Sequence, residues 1–185
     1  MSTRVLGRSG IQVSALGLGC WAIGGPFTFD GRPASWGEVD DGQSIRALQA
    51  ALDLGVTFFD TSDAYGTGRS EWVLGRAVAG RRDQVVIATK FGFADGRPAN
   101  GADSRPERIR QVADEALRRL RTDHIDLYHL HSWDPDTPID ESLRALDDLV
   151  RQGKVRYIGC SNFLAYQLAR SIGRSEVLGT ARFDS

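Results

Sequence analysis

The stretch TFFDTSDAYG, residues 57–66, decides how this chain is to be read. The apolar run Val56-Thr57-Phe58-Phe59 stops at Asp60, and Tyr65 follows in front of Gly66. β-Branched and aromatic residues that end at a carboxylate describe a buried strand emerging at one end of a sheet. An acid at that exit, with a tyrosine just beyond it, needs a chemical reason.

Working outward, residues 56–60, 85–90 (VVIATK), 125–131 (IDLYHLH) and 155–159 (VRYIG) read as short buried strands. Helical patterns separate them. Residues 105–120 set Ile109, Val112, Ala113, Ala116, Leu117 and Leu120 on one stripe, with Ser104 and Glu107 spaced as a capping box. Leu143, Leu146, Leu149 and Val150 repeat the stripe behind Thr137 as N-cap and Pro138 in the first turn. Ile45, Leu48 and Leu52 do so ahead of Gly55, a C-terminal cap. Residues 70–78 give a shorter helix with Gly75 inside it. At the front, two alternating runs around Arg8-Ser9-Gly10 predict a β-hairpin, then a strand over 15–19 and a long loop over 22–39.

Strand–helix alternation of this kind builds a parallel sheet covered by helices. A dinucleotide-binding doubly wound domain would place G-x-G-x-x-G after its first strand, and the glycines at 17, 19, 24 and 25 miss that spacing. A closed barrel, whose active sites sit at the C-terminal ends of several strands, is the other arrangement.

The bulk composition narrows the function. The chain has 185 residues, 41% hydrophobic and 25% charged, as in a soluble domain with a core; 1–185 is read as a single domain. A net charge of −1 gives no electrostatic case for nucleic acid or an anionic membrane. No apolar run approaches the roughly 20 residues of a membrane span, the N-terminus lacks a signal-peptide pattern, and Cys20 and Cys160 are isolated thiols, so the cytoplasm is expected. Of 23 basic residues only Lys90 and Lys154 are lysines. That scarcity fits codon bias or a need for a compact, tunable ammonium.

Parallel strands would bring Asp60, Tyr65, Lys90, His131, Ser161 and Asn162 to one rim. Each has a structural reading of its own: turn or cap for the Asp, loop anchor for the Tyr, solvated end for the Lys, core residue for the His, N-cap for Ser161-Asn162. Their recurrence about one βα unit apart is left unexplained by those readings. Together they fit carbonyl reduction. Hydride addition puts negative charge on oxygen, and a phenol can protonate it if an adjacent ammonium favours the phenolate. Asp60 would hold Lys90, Lys90 would tune Tyr65, and His131 would orient the carbonyl.

With these residues in hand, FFDTSDAYG, IATKFG, DLYHLHSWDP and VRYIGCSNF, in that order, resemble the aldo-keto reductase superfamily. LGRSGIQVSALGLGCWAIGG resembles its N-terminal hairpin and first strand, and the likeness is greatest to the bacterial, potassium-channel-beta-like or aryl-alcohol-dehydrogenase-like branch. The resemblance implies a (β/α)8 TIM barrel and NADPH-dependent reduction of aldehydes or ketones, NADH being the alternative. It implies a catalytic tetrad of Asp60, Tyr65, Lys90 and His131, with Tyr65 the general acid. Ser161 and Asn162 match the nicotinamide carboxamide site; Gly19, Cys20 and Trp21 match a segment lining cofactor and substrate. Lys154 remains a charge at a helix end.

Barrels of this type run to about 250 residues. The chain supplies the hairpin, about five βα units and the start of a sixth strand at ARFDS, so a C-terminally truncated reductase, inactive alone, is expected. The rivals are a non-catalytic or regulatory paralogue, and a metal-dependent barrel hydrolase using His129 and His131 of the H-x-H pair on one strand face. Trp21, Phe27, Trp36 and Trp133 in rim loops suggest an apolar pocket for a small carbonyl compound.

Overall fold

In the computed structural model, residues 1–29, 31–93 and 101–185 are described. The hairpin pairs β1 (Thr3–Val5) antiparallel with β2 (Gln12–Ser14). It is tied to the start of the sheet by Ser14 and Thr57, each of whose amides donates to the other's hydroxyl at 2.9 Å. Then come β3 (Gly17–Gly19), a 3-10 turn at Ala22–Gly24, and a small hairpin of β4 (Thr28–Phe29) and β5 (Arg32–Pro33). The βα units follow: α1 (Asp41–Asp53), β6 (Phe58–Asp60), α2 (Arg69–Ala77), β7 (Val86–Phe91), α3 (Pro106–Leu120), β8 (Ile125–Leu130), α4 (Ile139–Arg151), β9 (Val155–Cys160) and α5 (Ala165–Leu178).

The central sheet runs β3-β6-β7-β8-β9, all parallel. Each strand lies beside its predecessor. A doubly wound sheet would reverse direction at a switch point; the unbroken progression is that of a (β/α)8 barrel, five strands of it. Phe183 forms a parallel bridge to Ile158 at the outer side of β9, the beginning of a further strand.

Alternation along the strands separates two faces. Phe59, Ile87, Phe91, Tyr128, Leu130 and Ile158 pack against the helices in the main core. The opposite face, facing the barrel interior, carries Asp60, Lys90 and His129, with Lys90 and His129 adjacent in register. Gly159 stands opposite His129, where a β-carbon would run into the imidazole.

Several end details depart from the expected ones. Ser104 does not cap α3: its N-cap is Arg105 without a side-chain bond. The Ser104 amide donates to Asp134 Oδ2 at 2.8 Å and its hydroxyl meets Ser142 Oγ at 2.9 Å. Thr137 does not cap α4 either, because its hydroxyl donates to Asp134 Oδ2 at 2.7 Å; Pro138 holds the cap position. The Asp134 carboxylate has claimed both residues, Ser104 from 30 positions away and Thr137 from within its own turn. α1 is capped by Asp40, whose carboxylate accepts from the Gln43 amide at 2.6 Å, and Gly55 (φ 90°) lies just past its end.

Candidate active site

Three of the predicted residues meet at the end of β6 and β7. Lys90 is buried, and its ammonium donates to Asp60 Oδ1 (2.6 Å), the Thr61 carbonyl (2.9 Å) and Tyr65 Oη (3.2 Å). Those three contacts use all three N–H donors of an ammonium. A guanidinium, planar and larger, could not converge on three such points. Tyr65 Oη accepts from Lys90, so its own hydroxyl hydrogen is directed elsewhere. Asp60 is held by β6, whose register sets it beside Gly19 of β3 and Ala88 of β7.

The loop after β6 is fixed by a close backbone contact. Gly66 (φ 61°) packs directly against the Gly24 carbonyl, and a β-carbon on either glycine would strike the other's backbone or that of Tyr65. The glycine following Tyr65 is therefore required for the 3-10 turn to reach the tyrosine. Trp21, just before that turn, stacks on Tyr65 with ring centroids 5.9 Å apart and 18° between planes. Trp36 meets Trp21 edge-on at 6.0 Å, and the Trp21 indole N–H donates to the Ala34 carbonyl at 3.0 Å.

His131, one residue past β8, stands edge-on to Tyr65 at 5.9 Å between centroids. Its amide donates to the Phe91 carbonyl at 2.7 Å, and its Nδ1 lies 3.1 Å from the Ser62 hydroxyl. Burial, then the charge of Lys90, then His129 push His131 down to about 3, so the ring is neutral at ordinary pH. Burial and Lys90 likewise bring His129 down to about 4. Asn162 adopts a left-handed conformation (φ 57°), which Asn tolerates better than most residues, and its Nδ2 donates to the His131 carbonyl at 2.8 Å. Ser161 Oγ accepts from the same amide at 3.2 Å. Trp21, Phe27, Ala34, Ala64, Tyr65, Phe93, His131 and Asn162 line an open cavity of ≈ 350 Å³.

Asp60, Tyr65, Lys90 and His131 thus share one rim, with Ser161 and Asn162 beside them. Gly19 ends β3 with open space where a side chain would be. Cys20 does not line the cavity. The strand's alternation turns its side chain into the core, fully buried, and its thiol is pushed far up by that burial and by Asp60. Its carbonyl instead accepts from Ser70 Oγ at 2.7 Å, tying α2 to the rim. Trp133 meets Phe163 edge-on at 5.3 Å between ring centroids and is not among the residues that line this cavity. Lys154 pairs with Asp114 at 2.7 Å. His129 and His131 do face the same side of the sheet, yet among the described residues no group of three or more His, Cys, Asp or Glu could hold a metal.

Sequence reasoning passed over Thr61, Ser62 and Phe93. Thr61 acts through a backbone carbonyl, which has no sequence signature. Ser62 lay in plain view between Asp60 and Tyr65, but only the approach of β8 brings His131 to it.

The Aldo/keto reductase family model matches residues 15–178. The aldo-keto reductase YhdN of Bacillus subtilis (strain 168) is 41% identical over 162 residues, 86% of this chain and 46% of that protein. The probable aldo-keto reductase 1 of Glycine max is 37% identical over 158 residues, 84% of this chain and 43% of that protein. Among solved structures, the holo form of aldo-keto reductase AKR11C1 from Bacillus halodurans aligns with TM-score 0.80 at 34% identity, covering 94% of this chain and 54% of its own. The glycerol dehydrogenase AKR11B4 from Gluconobacter oxydans aligns with TM-score 0.78 at 38% identity, covering 98% and 53%. The chain spans about half the length of the curated relatives it matches.

Proposed function

The chain belongs to the aldo/keto reductase family, and from that premise we propose that its rim reduces an aldehyde or ketone to an alcohol with NADPH, NADH being the alternative source of hydride. One observation carries the reading: a buried ammonium touches both a carboxylate (2.6 Å) and a phenol (3.2 Å), and that phenol faces an aromatic-walled cavity.

In this reading Tyr65 gives its hydroxyl proton to the carbonyl oxygen as negative charge develops there. Lys90 stabilises the phenolate left behind, a charge-assisted contact in a site partly shielded from water. Asp60 neutralises and positions Lys90. His131 orients the carbonyl by an N–H. Trp21, Phe27 and Phe93 exclude water and favour an apolar carbonyl compound.

The donor set fits a nicotinamide. Ser161 offers a hydroxyl, and the Oδ1 of Asn162 remains as an acceptor once Nδ2 is committed to His131 and Ser161, which suits the amide and carbonyl of a carboxamide. When bound, that group supplies the hydride. We place residues 1–185 within one reductase domain, and the free thiols Cys20 and Cys160 suit the cytoplasm. No helix among the described residues is long and apolar enough to cross a membrane.

The test uses a completed barrel, residues 1–185 continued by the C-terminal half of the Bacillus subtilis relative. Lys90→Met and Tyr65→Phe should each lower kcat on an aromatic aldehyde by about 100-fold or more. Tyr65→Phe should still quench tryptophan fluorescence on NADPH titration. Retention of more than about a tenth of the parent kcat by either variant overturns the assignment.

A further inference from the structure

Under the reductase reading His131 must present an N–H to the carbonyl oxygen, and a neutral imidazole has only one. Which nitrogen carries it is decided at Ser62. The Ser62 hydroxyl is fully buried, with three neighbours, each 3.1 Å away: the Ala64 amide, which donates to it, the Asp63 Oδ1, and His131 Nδ1. A hydroxyl has one hydrogen and two lone pairs. The amide takes one lone pair, so the hydrogen must choose between Asp63 and His131.

We propose that Ser62 and Asp63 form a proton relay that sets the tautomer of His131, with protonated Asp63 the state in which His131 can donate to a substrate. When Asp63 is a carboxylate it only accepts, so Ser62 donates to it. The second lone pair of Ser62 then takes Nδ1–H of His131, leaving Nε2 bare. When Asp63 is a carboxylic acid it donates to that lone pair instead. Ser62 now donates to Nδ1, and the imidazole carries its hydrogen at Nε2. Passing from the first state to the second takes up one proton. Nε2 gains it from solvent, Nδ1 hands its own to Ser62 Oγ, and the Ser62 proton moves to Asp63. Every donor and lone pair on Ser62 is used in both states.

The surroundings of Asp63 make the exchange available. Its amide donates to the Lys90 carbonyl at 3.3 Å. Its carboxyl faces Glu71 of α2, Arg108 and Arg119 of α3, and the buried Tyr128 of β8. Glu71 is itself fixed by Thr89 Oγ1 and Arg119 Nε, each at 2.6 Å. Burial and the Glu71 charge push Asp63 up to about 7, against the opposing pull of Ser62 and the two arginines. His131 faces Lys90 and His129, which help keep it neutral throughout that range.

The completed barrel, labelled with 15N-histidine and free of cofactor and substrate, tests the relay directly, the His131 signals being identified by their loss in His131→Ala. In the parent protein the 15N shifts should report Nε2–H below pH about 7 and Nδ1–H above it. Asp63→Asn, whose amide can donate to Ser62 permanently, should hold Nε2–H at every pH. Ser62→Ala should abolish the pH response. In turnover, the parent kcat should fall through the same pH and Asp63→Asn should lose that inflection. A His131 tautomer that does not change with pH, or a change that survives Asp63→Asn, overturns the relay. A tautomer change in a protein without turnover sinks the reductase reading and leaves the relay standing.

Discussion

His129 and His131 show what burial, with a buried ammonium alongside, does to an imidazole. His129 and His131 are buried beside the Lys90 ammonium, and His129 Nδ1 has no hydrogen-bond partner among the described residues. Above pH 6.5 both rings are neutral, folded or unfolded. Below it the unfolded chain takes up protons that the folded chain refuses down to about 4 for His129 and about 3 for His131. Their contribution is therefore present above 6.5 and lost as pH falls, at up to about 1.4 kcal/mol per pH unit for each ring. Asp63 works in the opposite sense. Raised to about 7, its contribution is present below its unfolded value of 3.8 and lost as pH rises through 7. In the completed barrel, His129→Leu should leave the urea midpoint nearly unchanged near neutral pH and make it fall less steeply on acidification. An acid limb as steep as the parent's would show that His129 is not held neutral.

At the scale of elements, the contact of α2 with α3 depends on a residue that helix propensity disfavours. Gly75 sits inside α2, where glycine costs about 1 kcal/mol relative to alanine. A β-carbon there would lie 2.6 Å from the Leu120 carbonyl oxygen, backbone that cannot move aside. The last turn of α3 comes that close, which is why the helix keeps a glycine. Overpacking of this kind costs about 1–3 kcal/mol, more than the propensity returned. Gly75→Ala should therefore lower the urea midpoint of the completed barrel. A higher midpoint would mean that the two helices have room to separate. The capping patterns at Ser104 and Thr137 failed for a related reason. Local spacing announced a cap, and Asp134, 30 residues on from Ser104, took both groups.

For the whole molecule the question is closure. β3 and β9 lie at the two ends of the five-stranded sheet, and among the described residues the outer side of β9 meets a short stretch at 183–185, by the Phe183 bridge and the Asp184 and Ser185 backbone bonds. A barrel has no edges; an open parallel sheet presents unpaired N–H and C=O groups with apolar side chains around them. On α5, which follows β9 in the chain, Tyr166 is 65% and Val177 73% exposed. A domain's stability is only ~5–15 kcal/mol, less than the packing of several strands and helices. Residues 1–185 expressed alone should self-associate or fold loosely and show no NADPH-dependent turnover, while the completed barrel should be soluble and cooperative. A monodisperse monomer with a sharp melt, seen by sedimentation and calorimetry, would defeat the argument.

The sequence by itself determined the order of elements, the parallel sheet and the strand-end residues, because periodicity and the sudden polar exit of each strand are local properties of the chain. It placed Asp60, Tyr65, Lys90 and His131 on one rim, since consecutive parallel strands end on the same side. The tertiary structure alone decided the rest. The unbroken strand order replaced a choice between two sheet topologies. Cys20 turned inward because β3 ends where it does. Ser62 gained a partner in His131 that only the approach of β8 could supply. Such contacts join residues far apart in the chain, and their energies depend on distances that no local pattern of apolar and polar residues encodes.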